Sequence, residues 1–205
     1  EVLFTQNTAY SLDMTDHGSA AASSLMNALR ATYDASIAVG YSPLVSTSIY
    51  CGDYSKQQIL WVMAGNYAVS QGEYTGAELR QMMEWLVNVK DNGANPIRHR
   101  NYMPVTSGME YKVTEYEQGK FRLEELTING APLDDTATYT VFVAGTDVWI
   151  ENEVYCNCPM PENLKAKRTE YAIEGAESRS CLKDSLAVSK QFPAPSEYLT
   201  IVQGE

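Results

Sequence analysis

Four cysteines and two histidines are the residues in this chain whose chemistry best suits metal binding or nucleophilic catalysis. Cys156 and Cys158 are separated by one residue, whereas zinc-binding pairs are typically spaced as C-x-x-C. Neither His17 nor His99 lies near that pair or beside a nucleophile in the sequence, so the spacing predicts no zinc site. If the protein is exported, a disulfide between the pair and Cys181 would tie down the polar segment between them, and the connectivity stays open.

Carboxylates are abundant, but no motif arranges them for catalysis. Pairs such as Asp134-Asp135 and Glu124-Glu125 stand in expected turns or at strand ends, where carboxylates are ordinarily solvated. The glycine-rich phosphate loops G-x-G-x-x-G and G-x-x-x-x-G-K-[ST] are both missing from the sequence. The residues alone therefore predict an acidic surface and no local catalytic motif.

The charge and the hydropathy exclude two classes of partner. The chain has 205 residues, with 15 Lys and Arg against 26 Asp and Glu, and its formal net charge is −11. Because binding to a phosphate backbone needs clustered cations, we expect no nucleic-acid partner. The longest uninterrupted apolar run, 59–64, is far shorter than the roughly 20 residues of a spanning helix, so we expect no membrane span. The 44% apolar composition indicates a folded globular domain.

Apolar residues that recur at steps of three and four predict the helices that would position any site. This pattern runs over 19–33 and again over 79–89, and a last helix is expected near 182–188. In a capping box, a cap hydroxyl and a Glu or Gln three residues later satisfy each other's backbone amides, which marks a helix start. Two such boxes are present: Ser55 with Gln58, and Thr75 with Glu78.

Short apolar runs and alternating patterns predict strands between and after these helices. They lie at 36–39, 67–74, 109–114, 122–128, 139–144 and 198–202. Two segments show no clear period: 92–104 is expected to be a surface loop, and 151–180 a long irregular excursion. Helices followed by paired strands indicate an α+β fold.

Several short segments, each unspecific by itself, occur in a recognisable order. They lie at 24–30, 35–39, 52–55, 65–66, 74–79, 107–111, 128–134 and 138–141. Among them are Ser107-Gly108-Met109-Glu110-Tyr111 and Asn129-Gly130-Ala131-Pro132-Leu133-Asp134. In this order the segments resemble the C-terminal domain of the 5'-nucleotidase and UDP-sugar hydrolase family. The resemblance runs from about Leu12 to the end of the chain.

The resemblance implies a fold and a division of roles. The family domain is α+β, with mixed β-sheets flanked by helices, and residues 1–205 would form one such domain. In the family, an upstream metallophosphoesterase domain holds two divalent metal ions, and the C-terminal domain recognises a nucleoside, nucleotide or sugar nucleotide. The resemblance thus implies no metal, cofactor or catalytic residue in this chain, and an extracellular, cell-surface or periplasmic location.

Four residues carry over as candidate substrate-binding residues: Asn66, Gly108, Asp147 and Trp149. Asn66 remains from the family segment Pro-Phe-Gly-Asn, in which Ala64 here replaces the ring that stacks on the base. Trp149 is expected either to replace a second stacking ring or to lie in the core. Asp147 is expected either to bind a ribose or sugar hydroxyl or to cap a strand end.

One further family segment lacks its positively charged residue in this chain. The family's Asn-x-Gly-Gly-Ile-Arg is replaced by Gly40-Tyr41-Ser42-Pro43-Leu44-Val45, which lacks the arginine expected to meet the phosphate. Because base stacking is worth about 1–3 kcal/mol per ring, the lost rings and arginine predict that ordinary 5'-nucleotidase specificity is not retained.

Two functions are consistent with this pattern. In the first, the chain is the substrate-recognition domain of a divergent nucleotidase-like phosphoesterase with an altered substrate, and it is not catalytic on its own. In the second, it is a non-catalytic extracellular ligand-binding or interaction module on the same fold. The segment order favours the first, and the lost arginine and aromatic positions favour the second.

Overall fold

The structure is a computed structural model that describes residues 1–41, 44–87, 103–146 and 159–204. The helices in these ranges are α1 (Ala20–Thr32), α2 (Lys56–Val62), α3 (Gly76–Val87), α4 (Glu162–Glu170) and α5 (Ser178–Ser189). The strands are β1 (Val2–Gln6), β2 (Ile37–Tyr41), β3 (Gly52–Ser55), β4 (Ala68–Thr75), β5 (Pro104–Ser107), β6 (Glu110–Glu117), β7 (Lys120–Ile128), β8 (Ala131–Pro132), β9 (Thr138–Ala144), β10 (Ala172–Glu177) and β11 (Leu199–Gln203).

The strands form three sheets, and the two larger ones are mixed. The five-stranded sheet has the order β10-β4-β9-β2-β5, in which β2 and β9 are parallel and the other neighbours are antiparallel. The four-stranded sheet has the order β11-β6-β7-β8, in which β11 runs parallel to β6. β1 and β3 pair separately. The expected α+β fold, with mixed sheets flanked by helices, is confirmed.

Helix α1 is buried on both its apolar and its polar sides. Its apolar side, which includes Leu25 and Leu29, is buried, and the helix contacts β2 and β5. On the polar side, the hydroxyl of Ser23 donates to the carbonyl of residue 196 at 2.8 Å, and that of Ser24 to the carbonyl of Pro193 at 2.6 Å. The serine hydroxyls therefore bond to carbonyls of the packed C-terminal segment instead of to water.

Both predicted capping boxes form. The Ser55 backbone amide donates to the Gln58 side chain at 2.8 Å, and the Gln58 amide donates to the Ser55 hydroxyl at 3.4 Å. The Thr75 amide donates to the Glu78 carboxylate at 2.8 Å, and the Glu78 amide donates to the Thr75 hydroxyl at 3.2 Å. These reciprocal bonds begin α2 and α3 where the sequence predicts.

The expected irregular excursion at 151–180 is wrong over its described part. Residues 162–170 form α4, residues 172–177 form β10, and α5 begins at Ser178. Leu164 is the one buried residue of α4, and β10 is exposed or half-buried throughout, so neither has an apolar period to detect. Residues 151–158 and most of the expected loop 92–104 lie outside the described residues.

Other differences concern short strands. The sequence patterns do not predict β1, β3, β5 or β8. These strands have only two to five residues each, and each is stabilised by pairing with another strand.

Of the described helices, none has the length and apolar character needed to cross a membrane.

Lys167 fastens α4 to the rest of the domain. Its ammonium group donates to the Glu78 carboxylate at 2.6 Å and to the backbone carbonyl of Glu73 at 2.8 Å, and it lies 5.0 Å from the centre of the Tyr74 ring. Partial burial tends to raise the pKa of Glu78, but hydrogen bonds from Lys167 and Thr75 outweigh it and leave the pKa below its usual value. Glu78 thus caps the start of α3 and also bonds to Lys167 of α4.

We expect Glu78→Gln to lower the free energy of unfolding by about 1–2 kcal/mol at pH 7, because the amide replaces a charged hydrogen-bond acceptor. Since folding lowers the pKa of Glu78, its charge stabilises the fold fully above the usual value of 4.5, and this stabilisation is lost as the pH falls through the folded-state pKa. Urea unfolding at pH 7 and pH 3 should therefore show a smaller difference between variant and parent at pH 3. Glu174→Gln, at an exposed carboxylate of β10, is the control, and an equal difference at both pH values would contradict the expectation.

Candidate functional site

The parallel pairing of β2 with β9 gives the five-stranded sheet one edge at which two strands end. Residue 39 lies opposite Val143 near the ends of these strands. The antiparallel strand β4 begins at the same edge, where Val69 lies opposite Ala144, and β10 ends there, where Glu177 lies opposite Ala68. We call this the carboxyl edge. In open sheets with parallel strands, ligands bind characteristically beyond such an edge.

Asn66 lies at the carboxyl edge, in the loop 63–67 that leads from α2 into β4. Three consecutive residues, Glu177, Ser178 and Arg179, hold this loop, and we call them the clamp. The Asn66 side-chain nitrogen donates to the Glu177 carboxylate. Both Arg179 Nε and Nη2 donate to the carbonyl of Met63, at 3.2 Å and 2.8 Å.

Ser178 completes the clamp through both its side chain and its backbone. The Tyr67 amide donates to the Ser178 hydroxyl at 3.1 Å, and the Ser178 amide donates to the Tyr67 carbonyl at 2.9 Å. Ser178 is fully buried at the start of α5, whereas Asn66 is exposed. The buried pairing therefore fixes the backbone of the loop while the amide of Asn66 stays within reach of a ligand.

The chain leaves β9 beside this loop. The amides of Gly145 and Thr146 both donate to the carbonyl of Ala68, at 2.9 Å and 3.1 Å, two residues after Asn66. The segment after β9 and the loop with Asn66 are thus neighbours through Thr146. Asp147 and Trp149, which the sequence analysis placed with Asn66, lie outside the described residues and stay predictions.

Gly108 lies far from Asn66 along the strands. It follows Ser107, which pairs with Ala38 near the beginning of β2, whereas Asn66 precedes β4 at the carboxyl edge. Its φ of +79° favours glycine, and a Cβ there would lie 2.3 Å from the carbonyl oxygen of Ser36. The structure gives Gly108 a role in packing the turn after β5 and does not bring it together with Asn66.

A family model described as "5'-nucleotidase, C-terminal domain" matches residues 4–146. The chain belongs to this family. Among solved structures, the 5'-nucleotidase precursor from Thermus thermophilus matches all of this chain with a TM-score of 0.69 and 16% identity. The NAD nucleotidase of Haemophilus influenzae also matches all of it, with a TM-score of 0.72 and 12% identity.

A third similar structure is the sulfate thiohydrolase of Thermus thermophilus in complex with glycerol, which matches 98% of this chain with a TM-score of 0.65 and 15% identity. This chain spans 40%, 38% and 35% of the three solved chains, which is less than half of each. A search of curated proteins found no match. At these identities the structural likeness shows the fold.

The clamp lies outside the part of the chain that matches the 5'-nucleotidase family model, which ends at residue 146. Sequence reasoning missed it because Glu177 is 111 residues from Asn66, inside the segment interpreted as irregular. Arg179 brings a guanidinium to this loop. No local motif signals these residues, and only the pairing of β10 with β4 reveals their place.

The described part of the chain offers little for metal binding or redox chemistry. Within residues 1–41, 44–87, 103–146 and 159–204, no cluster of three or more His, Cys, Asp or Glu side chains could hold a metal ion. Cys181 is a free, buried thiol whose sulfur accepts a hydrogen bond from the Tyr33 hydroxyl at 2.8 Å. Its proposed disulfide partners, Cys156 and Cys158, lie outside the described residues.

A cleft of about 240 Å³ lies between α2 and the segment 47–54. Tyr50 and Trp61 line it and are 61% and 63% exposed, whereas Tyr54, which also lines it, is 7% exposed and stacks on Phe4 at 5.5 Å between ring centres. Exposed aromatic rings that line a cleft suit the face of a planar or sugar ring.

We expect Arg179→Ala to loosen the loop 63–67, because it removes two hydrogen bonds from a charged donor to the Met63 carbonyl. The free energy of unfolding should fall by about 1–2 kcal/mol. Hydrogen exchange at the Tyr67 amide should accelerate more than at amides of the central strand β9. Arg122→Ala, which removes an exposed arginine bonded to Glu124, is the control and should change neither quantity. Unchanged exchange at Tyr67 in Arg179→Ala would contradict the role of Arg179 in holding this loop.

Proposed function

We propose that this chain is the substrate-recognition domain of a divergent 5'-nucleotidase-like metallophosphoesterase, which hydrolyses phosphate esters of nucleotides or sugar nucleotides. The observation that supports this most directly is the presentation of Asn66 at the carboxyl edge by the clamp. A surface amide on a loop fixed by buried hydrogen bonds is suited to reading a polar ligand group, since little entropy is lost when the ligand binds.

The chain's own part in this reaction is binding. The described residues do not fit the dimetal centre of the family, because they contain no cluster of metal-ligating side chains. We therefore place the divalent metals and the hydrolytic step in an upstream metallophosphoesterase domain of the native protein, and the role of this chain is to hold the nucleoside, nucleotide or sugar nucleotide. An extracellular, cell-surface or periplasmic location belongs to the same proposal.

The altered site residues are the reason for proposing a divergent substrate. Ala64 stands where the family has a stacking ring, and the loop after β2 lacks the family's arginine. Arg179 brings a guanidinium to the loop of Asn66 from a different element, α5. Because the aromatic and charged side chains of the site differ, we expect its substrate to differ from that of an ordinary 5'-nucleotidase.

We expect Asn66→Ala in the native full-length protein to weaken substrate binding about 10-fold, which corresponds to the loss of about 1.4 kcal/mol of hydrogen bonding. The measurement is a phosphatase screen over nucleotides and sugar nucleotides, followed by KM for the best substrate. Asn163→Ala, at an exposed asparagine of α4, is the matched control and should behave as wild type. A native protein of this length without an upstream domain, established by intact mass, would refute the proposed phosphoesterase.

The second candidate, a non-catalytic ligand-binding or interaction module on the same fold, is favoured by the cleft beside Tyr50 and Trp61. Among the described residues that line this cleft, Asp53 supplies the single charged side chain, and none is cationic. A phosphate would meet a negative charge there and no compensating cation. The cleft is therefore suited to a neutral ring and poorly suited to a phosphate.

This second candidate predicts that adenosine or methyl β-glucopyranoside binds at Trp61. Trp61→Ala should weaken that binding about 10-fold, in keeping with the roughly 1–3 kcal/mol of a stacking contact. Tyr116→Ala removes a comparably exposed ring, 54% against 63%, and serves as the control. The measurement is the perturbation of the indole N–H resonance of Trp61 during titration. If Asn66→Ala weakens binding and Trp61→Ala does not, the first candidate is favoured and ligand binding in the cleft is excluded.

A further inference from the structure

The contact between Asn66 and Glu177 fixes which way the amide of Asn66 points. A carboxylate offers only acceptors, so the amide nitrogen must face Glu177 and the amide oxygen must face away. The orientation follows from the chemistry of the partner. Asn66 therefore presents a hydrogen-bond acceptor, its Oδ1, to any ligand at the carboxyl edge.

Glu177 is itself held in place from both sides. Its backbone lies opposite Ala68 in the pairing of β10 with β4, and it stands at the cap position of α5. Its carboxylate makes no capping hydrogen bond to that helix, so the contact with Asn66 does not compete with a capping role. Both side chains are exposed, and a ligand can reach them.

The carboxylate also selects against ligand groups that accept hydrogen bonds. A keto oxygen or a phosphate that approached the second N–H of Asn66 would come close to the negative charge of Glu177, which repels it. The two Arg179 nitrogens that bond to the clamped loop are directed at the Met63 carbonyl. The charge of Glu177 and the orientation of the Asn66 amide therefore both favour a ligand group that donates a hydrogen bond.

We propose that Glu177 is a specificity-determining residue, which orients Asn66 so that the site reads an uncharged hydrogen-bond donor of the ligand. This inference rests on the proposed function, because it takes Asn66 as a ligand-binding residue. Two parts of a nucleoside can supply such a donor: an exocyclic amino group of the base or a hydroxyl of the ribose.

The test compares binding of adenosine, inosine and 2',3'-dideoxyadenosine by calorimetry. If the base amino group is read, adenosine and dideoxyadenosine should bind about 10-fold more tightly than inosine. If a ribose hydroxyl is read, adenosine and inosine should bind about 10-fold more tightly than dideoxyadenosine. Glu177→Gln should reduce either preference to less than about threefold, since glutamine can donate or accept and no longer fixes the amide. Glu174→Gln, on the same strand, should keep the preference.

Equal binding of all three ligands, or an unchanged preference in Glu177→Gln, would overturn the role of Glu177 and leave the proposed function standing. Absence of binding of all three would count against the proposed function and the selectivity together. A ligand-free readout separates the two: the side-chain amide resonances of Asn66, assigned by their loss in Asn66→Ser, should shift in Glu177→Gln and not in Glu174→Gln. Unshifted resonances would overturn the orientation of Asn66 by Glu177 whatever the ligand.

Discussion

The parallel pairing of β2 with β9 is the constraint on which the rest of the structure depends. These strands lie inside the five-stranded sheet, and their carboxyl ends meet at one edge because the pairing is parallel. The antiparallel strand β4 must then begin at that edge, and β10 must end there. Asn66 and Glu177 meet as a consequence, although 111 residues separate them in the chain.

A second set of contacts joins the two larger sheets. Helix α1 contacts β2 and β5 of the first sheet, while its buried serines hold the segment 193–196 that leads to β11 of the second sheet. The Ser19 amide also donates to the Tyr198 hydroxyl at 3.0 Å, just before β11 begins. Buried hydroxyls are costly without partners, so these bonds favour one position of the C-terminal segment over others.

The candidate site combines the strand framework of the family with a different set of side chains. The loop of Asn66 lies at the carboxyl edge, and this chain has Ala64 and Val45 where the family resemblance implies a stacking ring and an arginine. Residues 177–179 bring a carboxylate, a hydroxyl and a guanidinium to that loop from another part of the chain. Such a change alters the chemistry offered to a ligand without altering the fold.

Local features of this protein could be predicted from the sequence because neighbouring residues determine them. Helix α1, both capping boxes and the central strands β4 and β9 follow from apolar periods and cap residues, and Asn66 follows from the order of short segments. Helix α4 and strand β10 could not be predicted, because their exposed surfaces carry no period. The sequence by itself thus determined the α+β class, the main elements and Asn66 as a candidate site residue. Only the tertiary structure decided that Glu177 bonds to the Asn66 side chain and that Ser178 and Arg179 hold its loop, because these contacts depend on which strands pair and not on any local pattern.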